Sequence, residues 1–86
     1  MFFLAKISRS AKSGNLMKIS DSKELGNAIR ERRKELKYTQ QYISEITGFS
    51  VSFLSDLENG KPTCEIGKTL SLINLLGLDL NVAARS

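Results

Sequence analysis

The chain has 86 residues, 41% of them hydrophobic, and a formal net charge of +4 from 13 basic and 9 acidic side chains. That length makes one domain with a small core; a chain of this size buries only about 60% of its unfolded surface, so association with a second copy would add useful burial. It has no histidine and one cysteine, Cys64, which excludes an internal disulfide, removes the commonest general base and metal ligand, and leaves catalysis or a cofactor without positive support.

Residues 1–20 collect Ser, Lys, Gly and Asn without a convincing period and read as a flexible segment, with room for a short strand from Leu16 to Ile19. Lys6, Arg9, Lys12 and Lys18 stand there without an acid, so this segment carries the whole excess charge and the rest of the chain is neutral. A basic arm that wraps DNA is one reading; translation starting at Met17, with the preceding residues an extension without a role in the fold, is another. Met1 to Ala5 is too short for a secretory apolar region, and no apolar run approaches the roughly 20 residues of a membrane span. The expected compartment is the cytoplasm.

Residues 21–77 are expected to hold the helices. Asp21 or Ser22 opens the first, with Glu24 as capping-box partner, and the helix should run to about Lys37. Leu25, Ala28, Ile29 and Leu36 share its inward side. Arg30, Arg32, Arg33, Lys34 and Lys37, diluted by Glu31 and Glu35, are either phosphate ligands or a solvated face laced with charge pairs. Arg33 lies close to the apolar side, where it needs a partner unless it is only another solvated base.

The stretch from Thr39 to Lys61 reads as a DNA-binding helix-turn-helix. Thr39 caps a helix beginning at Gln40, Gly48 stops it through a left-handed residue, and Ser50 caps a second helix that leaves through Asn59 and Gly60. Ile43, Phe49, Leu54 and Leu57 fall at the spacing that packs the two together, and Ser44 is small enough for a close crossing. The second helix of such a motif enters the major groove, leading end toward the bases, while the first crosses the backbone. Side chains not needed for packing are then Val51, Ser52, Ser55 and Asp56, with Ser50 at the cap. Val51 can touch a thymine methyl, Ser52 and Ser55 can donate or accept, and Asp56 can accept from a cytosine amino group. Asp56 has the alternatives of repelling non-cognate registers or pairing with Lys61. Thr39 and Gln40, at the start of the first motif helix, suit one phosphate and Lys61 the next. Phe53 either reaches the groove edge or, the slightly favoured reading, packs beneath the helix.

After Pro62, Thr63 can cap a fourth helix from about Glu65 to Leu76, stopped by Gly77. Ile66, Leu70, Ile73 and Leu76 make one stripe, whereas Leu72 and Leu75 project from another side. A helix apolar on two sides needs a second cover; this is either a dimer contact with Leu78 or a small extra core closed by the N-terminal residues. In residues 78–86, Leu78, Leu80, Val82 and Ala84 alternate with their neighbours at a strand period. Such a strand can pair with its copy across a homodimer, giving an interface of Leu72, Leu75, Leu78, Leu80 and Val82; a disordered tail is the alternative.

Thr39-Gln40, Gly48, Ser50 and Glu58-Asn59-Gly60 together resemble the pattern of Xre/Cro/cI-type regulators of bacteria and phages. Gly48 to Thr63, Gly67-Lys68 and Leu76-Gly77-Leu78 look most like the HipB-like antitoxins within that group, and the resemblance spans Leu25 to about Leu80. It implies an all-α, lambda-repressor-like fold of four to five short helices with a C-terminal strand. It also implies a salt bridge between Arg33 and Glu58 linking the first helix to the end of the recognition helix. The implied function is a homodimeric repressor of a palindromic operator that, as the antitoxin of a toxin-antitoxin operon, represses its own operon and binds a HipA-like kinase toxin. A stand-alone regulator, and a toxin-neutralising protein for which DNA binding is secondary, are the other readings.

Overall fold

The structure, a computed structural model, describes residues 3–9 and 16–85, with side chains from Met17 onward. In chain order the elements are strands β1 (Phe3–Arg9) and β2 (Leu16–Ile19), helices α1 (Ser22–Glu35), α2 (Gln40–Thr47), α3 (Val51–Glu58) and α4 (Ile66–Leu75), and strand β3 (Leu78–Ala84). The described chain is thus mostly helical.

Each helix boundary has a local cause. The Asp21 carboxylate accepts from the Glu24 backbone N–H at 2.8 Å, and Glu24 in return accepts from the Ser20 N–H at 2.6 Å. α1 stops at Glu35, two residues before the expected Lys37, because Lys37 takes a left-handed conformation (φ 62°). α4 is entered from Glu65 with no side-chain cap, so the capping role expected of Thr63 is not filled.

The core joins Ala28 and Ile29 of α1, Ile43 of α2, Leu54 and Leu57 of α3, Leu72 and Ile73 of α4, Leu76, Leu78 and Ile19. Leu25 and Leu36 pack half-buried at its edge. α1 crosses α3 at Gly26, where a Cβ would lie 2.2 Å from the Leu57 carbonyl oxygen. Glycine in a helix interior costs about 1 kcal/mol of propensity; here it permits backbone to meet backbone.

Two expectations change once the sheet is in view. The expected strand at Leu16–Ile19 is present as β2, but the reading of the other N-terminal residues as flexible left out β1, which is the middle strand of an antiparallel sheet ordered β2-β1-β3. β3 pairs with β1 along its full length, from Phe3 opposite Ala84 to Arg9 opposite Leu78. The C-terminal strand therefore finds its partner within its own chain, and among the described residues its outer edge stays unpaired.

The sheet also decides which side of α4 is inside. Thr69, Leu72, Ile73 and Leu76, at i, i+3, i+4 and i+7, are buried, whereas Ile66 and Leu70, assigned to the inward stripe, are 67% and 40% exposed. Leu72 and Leu78 share the core with Ile19 of β2. Both were expected at a dimer interface; at 2% exposure each, they are already covered by their own chain. Of that set, Leu75 and Val82 are exposed and Leu80 is half-buried.

Candidate nucleic-acid interface

The turn between α2 and α3 is fixed by side-chain caps. The Thr39 hydroxyl accepts from the Tyr42 N–H at 3.0 Å, and at the far end Gly48 adopts φ 80° and donates to the Ser44 carbonyl. The Thr47 hydroxyl donates to the Ile43 carbonyl and accepts from the Phe49 N–H. The Ser50 hydroxyl accepts from the Phe53 N–H at 3.0 Å and starts α3. Phe53 packs on Phe49 edge to face with 5.5 Å between centroids, and the Lys68 ammonium sits over both rings. Phe53 is thus part of the support beneath the helix.

On α3, Leu54, Leu57 and Glu58 point inward. With 3.6 residues per turn, the opposite side presents Ser52, Ser55, Asp56 and Asn59, which follow the i, i+3, i+4, i+7 spacing. Ser50, Val51 and Ser52 at the leading end are exposed. Asn59 belongs to this face although sequence reasoning used it only as a helix exit; its amide lies 3.4 Å from the Ser55 hydroxyl. The spacing from Ser52 was the available signal.

Behind this face, Arg33 and Glu58 form a two-pronged pair. Arg33 Nε donates to Glu58 Oε2 at 2.6 Å and Nη2 to Oε1 at 2.9 Å, while Nη1 donates to the Tyr38 carbonyl at 2.7 Å. The side chains are only 12% and 4% exposed. Gln40 Nε2 donates to Glu58 Oε1 at 3.1 Å, so its amide joins the network holding α2 to α3. The hydrogen bond to Glu58 raises the Arg33 pKa, burial works against it, and the Coulombic attraction of Glu58 adds to the rise. Because the folded value lies above the unfolded one, this stabilisation is complete below the ordinary guanidinium value and is lost only as pH climbs through the raised one.

The remaining bases divide by geometry. Arg32 Nε donates to the Leu76 carbonyl at 2.8 Å and Nη1 reaches Glu35 at 3.3 Å, which ties it to the end of α4. Arg30, Lys34 and Lys37 are exposed. Arg30 joins Thr39, Ser55 and Asn59 around an open concavity, lined also by Arg33, Gln40 and Glu58. Lys61 Nζ lies 3.4 Å from Asp56 Oδ2, with both side chains about half exposed. Among the described residues no group of three or more His, Cys, Asp or Glu could hold a metal ion, and no helix is long and apolar enough to cross a membrane.

This geometry has counterparts in known proteins. The family profile described as helix-turn-helix domain matches residues 26–82. An uncharacterized HTH-type transcriptional regulator of Sinorhizobium fredii, y4mF, is 34% identical over 67 residues, covering 78% of this chain and 88% of the relative. The ImmF control region 10 kDa protein of Bacillus phage phi105 is 44% identical over 63 residues, covering 72% of this chain and 69% of that protein. The fold is similar to that in the solved HipB-O4 20mer complex, with a TM-score of 0.72 at 20% identity, over 81% of this chain and 99% of that one. The chain belongs to the helix-turn-helix family and is a DNA-binding transcriptional regulator of the Xre type.

Proposed function

We propose that the protein is a sequence-specific repressor that binds a palindromic operator as a homodimer and, as the antitoxin of a toxin-antitoxin operon, autoregulates it. The observation that carries the DNA-binding half is the outward face of α3, where the Ser50 to Ser52 end is exposed while Leu54, Leu57 and Glu58 anchor the reverse side. In this reading Val51, Ser52 and Ser55 read base edges, while Thr39, Gln40 and Lys61 hold phosphates on either side. The four helices lack a net basic charge, and α3 has no Lys or Arg; affinity per half-site is modest and two linked half-sites are needed. A DNA partner makes the cytoplasm the compartment of this reading.

The dimer draws on Leu75 and Val82, exposed large apolar side chains at the C-terminal end, and on the unpaired outer edge of β3. A two-fold dimer asks for half-site centres about 10 bp, or a multiple, apart. The antitoxin branch is supported by the fold shared with HipB and by the residues after Gly60, and implies a HipA-like kinase toxin as second partner. A stand-alone regulator is the second reading, supported by relatives named as an HTH-type transcriptional regulator and as a phage control-region protein.

A mobility-shift titration against the protein's own upstream region tests the first half: two protomers on one inverted repeat are expected, and no protected repeat counts against it. Co-purification with the product of the adjacent gene separates the branches. A kinase-like protein in the complex supports the antitoxin role, and a free regulator supports the alternative.

A further inference from the structure

We propose that Asp56 and Lys61 form an exchangeable ion pair that sets base specificity. On cognate DNA the Asp56 carboxylate accepts from an exocyclic amino group in the major groove, cytosine N4 or adenine N6, while Lys61 moves to a backbone phosphate. This rests on the reading of α3 as the recognition helix.

Three observations point to it. Among the described residues, α3 carries two acids and no base, and the acids differ completely in setting. Glu58 is buried and clamped by Arg33, whereas Asp56 lies one turn beyond Ser52 on the outward face. A carboxylate carried toward polyanionic DNA is costly unless a donor meets it. The partner it has in the free protein is Lys61, at 3.4 Å, with enough exposure on both sides for either group to change partners.

The backbone of Lys61 is held in place for this. Its N–H donates to the Asp56 carbonyl at 3.0 Å across the turn at Gly60, whose φ is 84°. Gly60 presses against α1: an added Cβ would lie 2.7 Å from Lys23 Cα, and the Ser22 hydroxyl donates to the Gly60 carbonyl at 2.8 Å. The ammonium therefore pivots on a fixed point beside the recognition face. When a base amino group replaces it, no charge is left without a partner. When the facing base edge offers only acceptors, as guanine and thymine do, either Lys61 stays with Asp56 and a phosphate contact is lost, or the carboxylate is stranded against the base.

The test is in vitro selection from a randomised duplex pool with the full chain and with Asp56→Ala, together with titration of one unselected duplex. Wild type is expected to fix cytosine or adenine at one position in each half-site, the selected base telling which amino group is read. Asp56→Ala should lose that preference alone, weaken binding to the wild-type site about tenfold, and bind the unselected duplex several-fold more tightly. Lys61→Gln should weaken binding to the selected site and lower its salt slope by about one phosphate contact, with a smaller change of slope on the unselected duplex, where Lys61 stays with Asp56. Exposed ion pairs add little to stability, so both variants fold. Unchanged base preference in Asp56→Ala overturns the proposal while leaving the helix-turn-helix reading intact. Failure of wild type to enrich any sequence overturns both.

Discussion

The helices and the sheet are held by contacts of different reach. From Thr39 to Lys61 the caps and turns are set by residues within five positions of the ones they act on: Thr39 on Tyr42, Gly48 on Ser44, Ser50 on Phe53 and Lys61 on Asp56. The sheet instead brings Phe3–Arg9 against Leu78–Ala84, the two ends of the chain. Closing such a loop costs conformational entropy before any contact repays it. The sheet is therefore expected to open before the helical unit loses its shape, although Ile19 and Leu78 join it to the common core; the outward face of α3 belongs to the helical unit.

The sharpest way to break the helical unit is its buried charge pair. Glu58→Ala leaves Arg33 desolvated and without its main partner, and should cost on the order of 3 kcal/mol in urea unfolding. Replacing both residues with apolar ones should cost distinctly less, because no charge is then stranded. Gly26→Ala comes next: the new methyl meets the Leu57 carbonyl, so a loss of about 2 kcal/mol is expected despite alanine's better helix propensity.

Lys6→Pro sharpens the contrast from the other side. It removes a backbone donor from the middle strand, opposite Asn81 and Lys18. Amide exchange along β3 should accelerate while the amides of Ile43 and Leu54 remain protected; equal loss in both would show one cooperative unit. The smallest effect is expected for Ser50→Ala, about 1 kcal/mol for a lost cap, with fraying confined to the first turn of α3.

The same contrast explains what could be read from the chain. Caps and stops around α2 and α3 were legible because each signal sits on the element it shapes, and Arg33 stood out because a guanidinium beside an apolar stripe needs a partner. β1 was missed because Phe3-Leu4-Ala5 is a short apolar run without alternation, only Lys6, Ile7 and Ser8 carry a strand period, and nothing near those residues names β3 as their mate. That omission then propagated. Without the sheet, α4 had two equivalent apolar sides, and a dimer contact for Leu72 and Leu78 stood beside the alternative of an extra core closed by the N-terminal residues, which is the one that Ile19 completes. Gly26 was legible in principle, as a glycine inside a strong helical pattern, but only the coordinates show that α3 lies against it.

The account's central claim is that α3 meets DNA with its leading end and outward face. Backbone amide shifts recorded during titration with a duplex containing the selected site test it directly. The account predicts the largest changes at Ser50 to Asp56 and at Thr39 to Gln41, with α4 unmoved. Changes concentrated in α4 or the outer edge of β3, with the start of α3 silent, would contradict it.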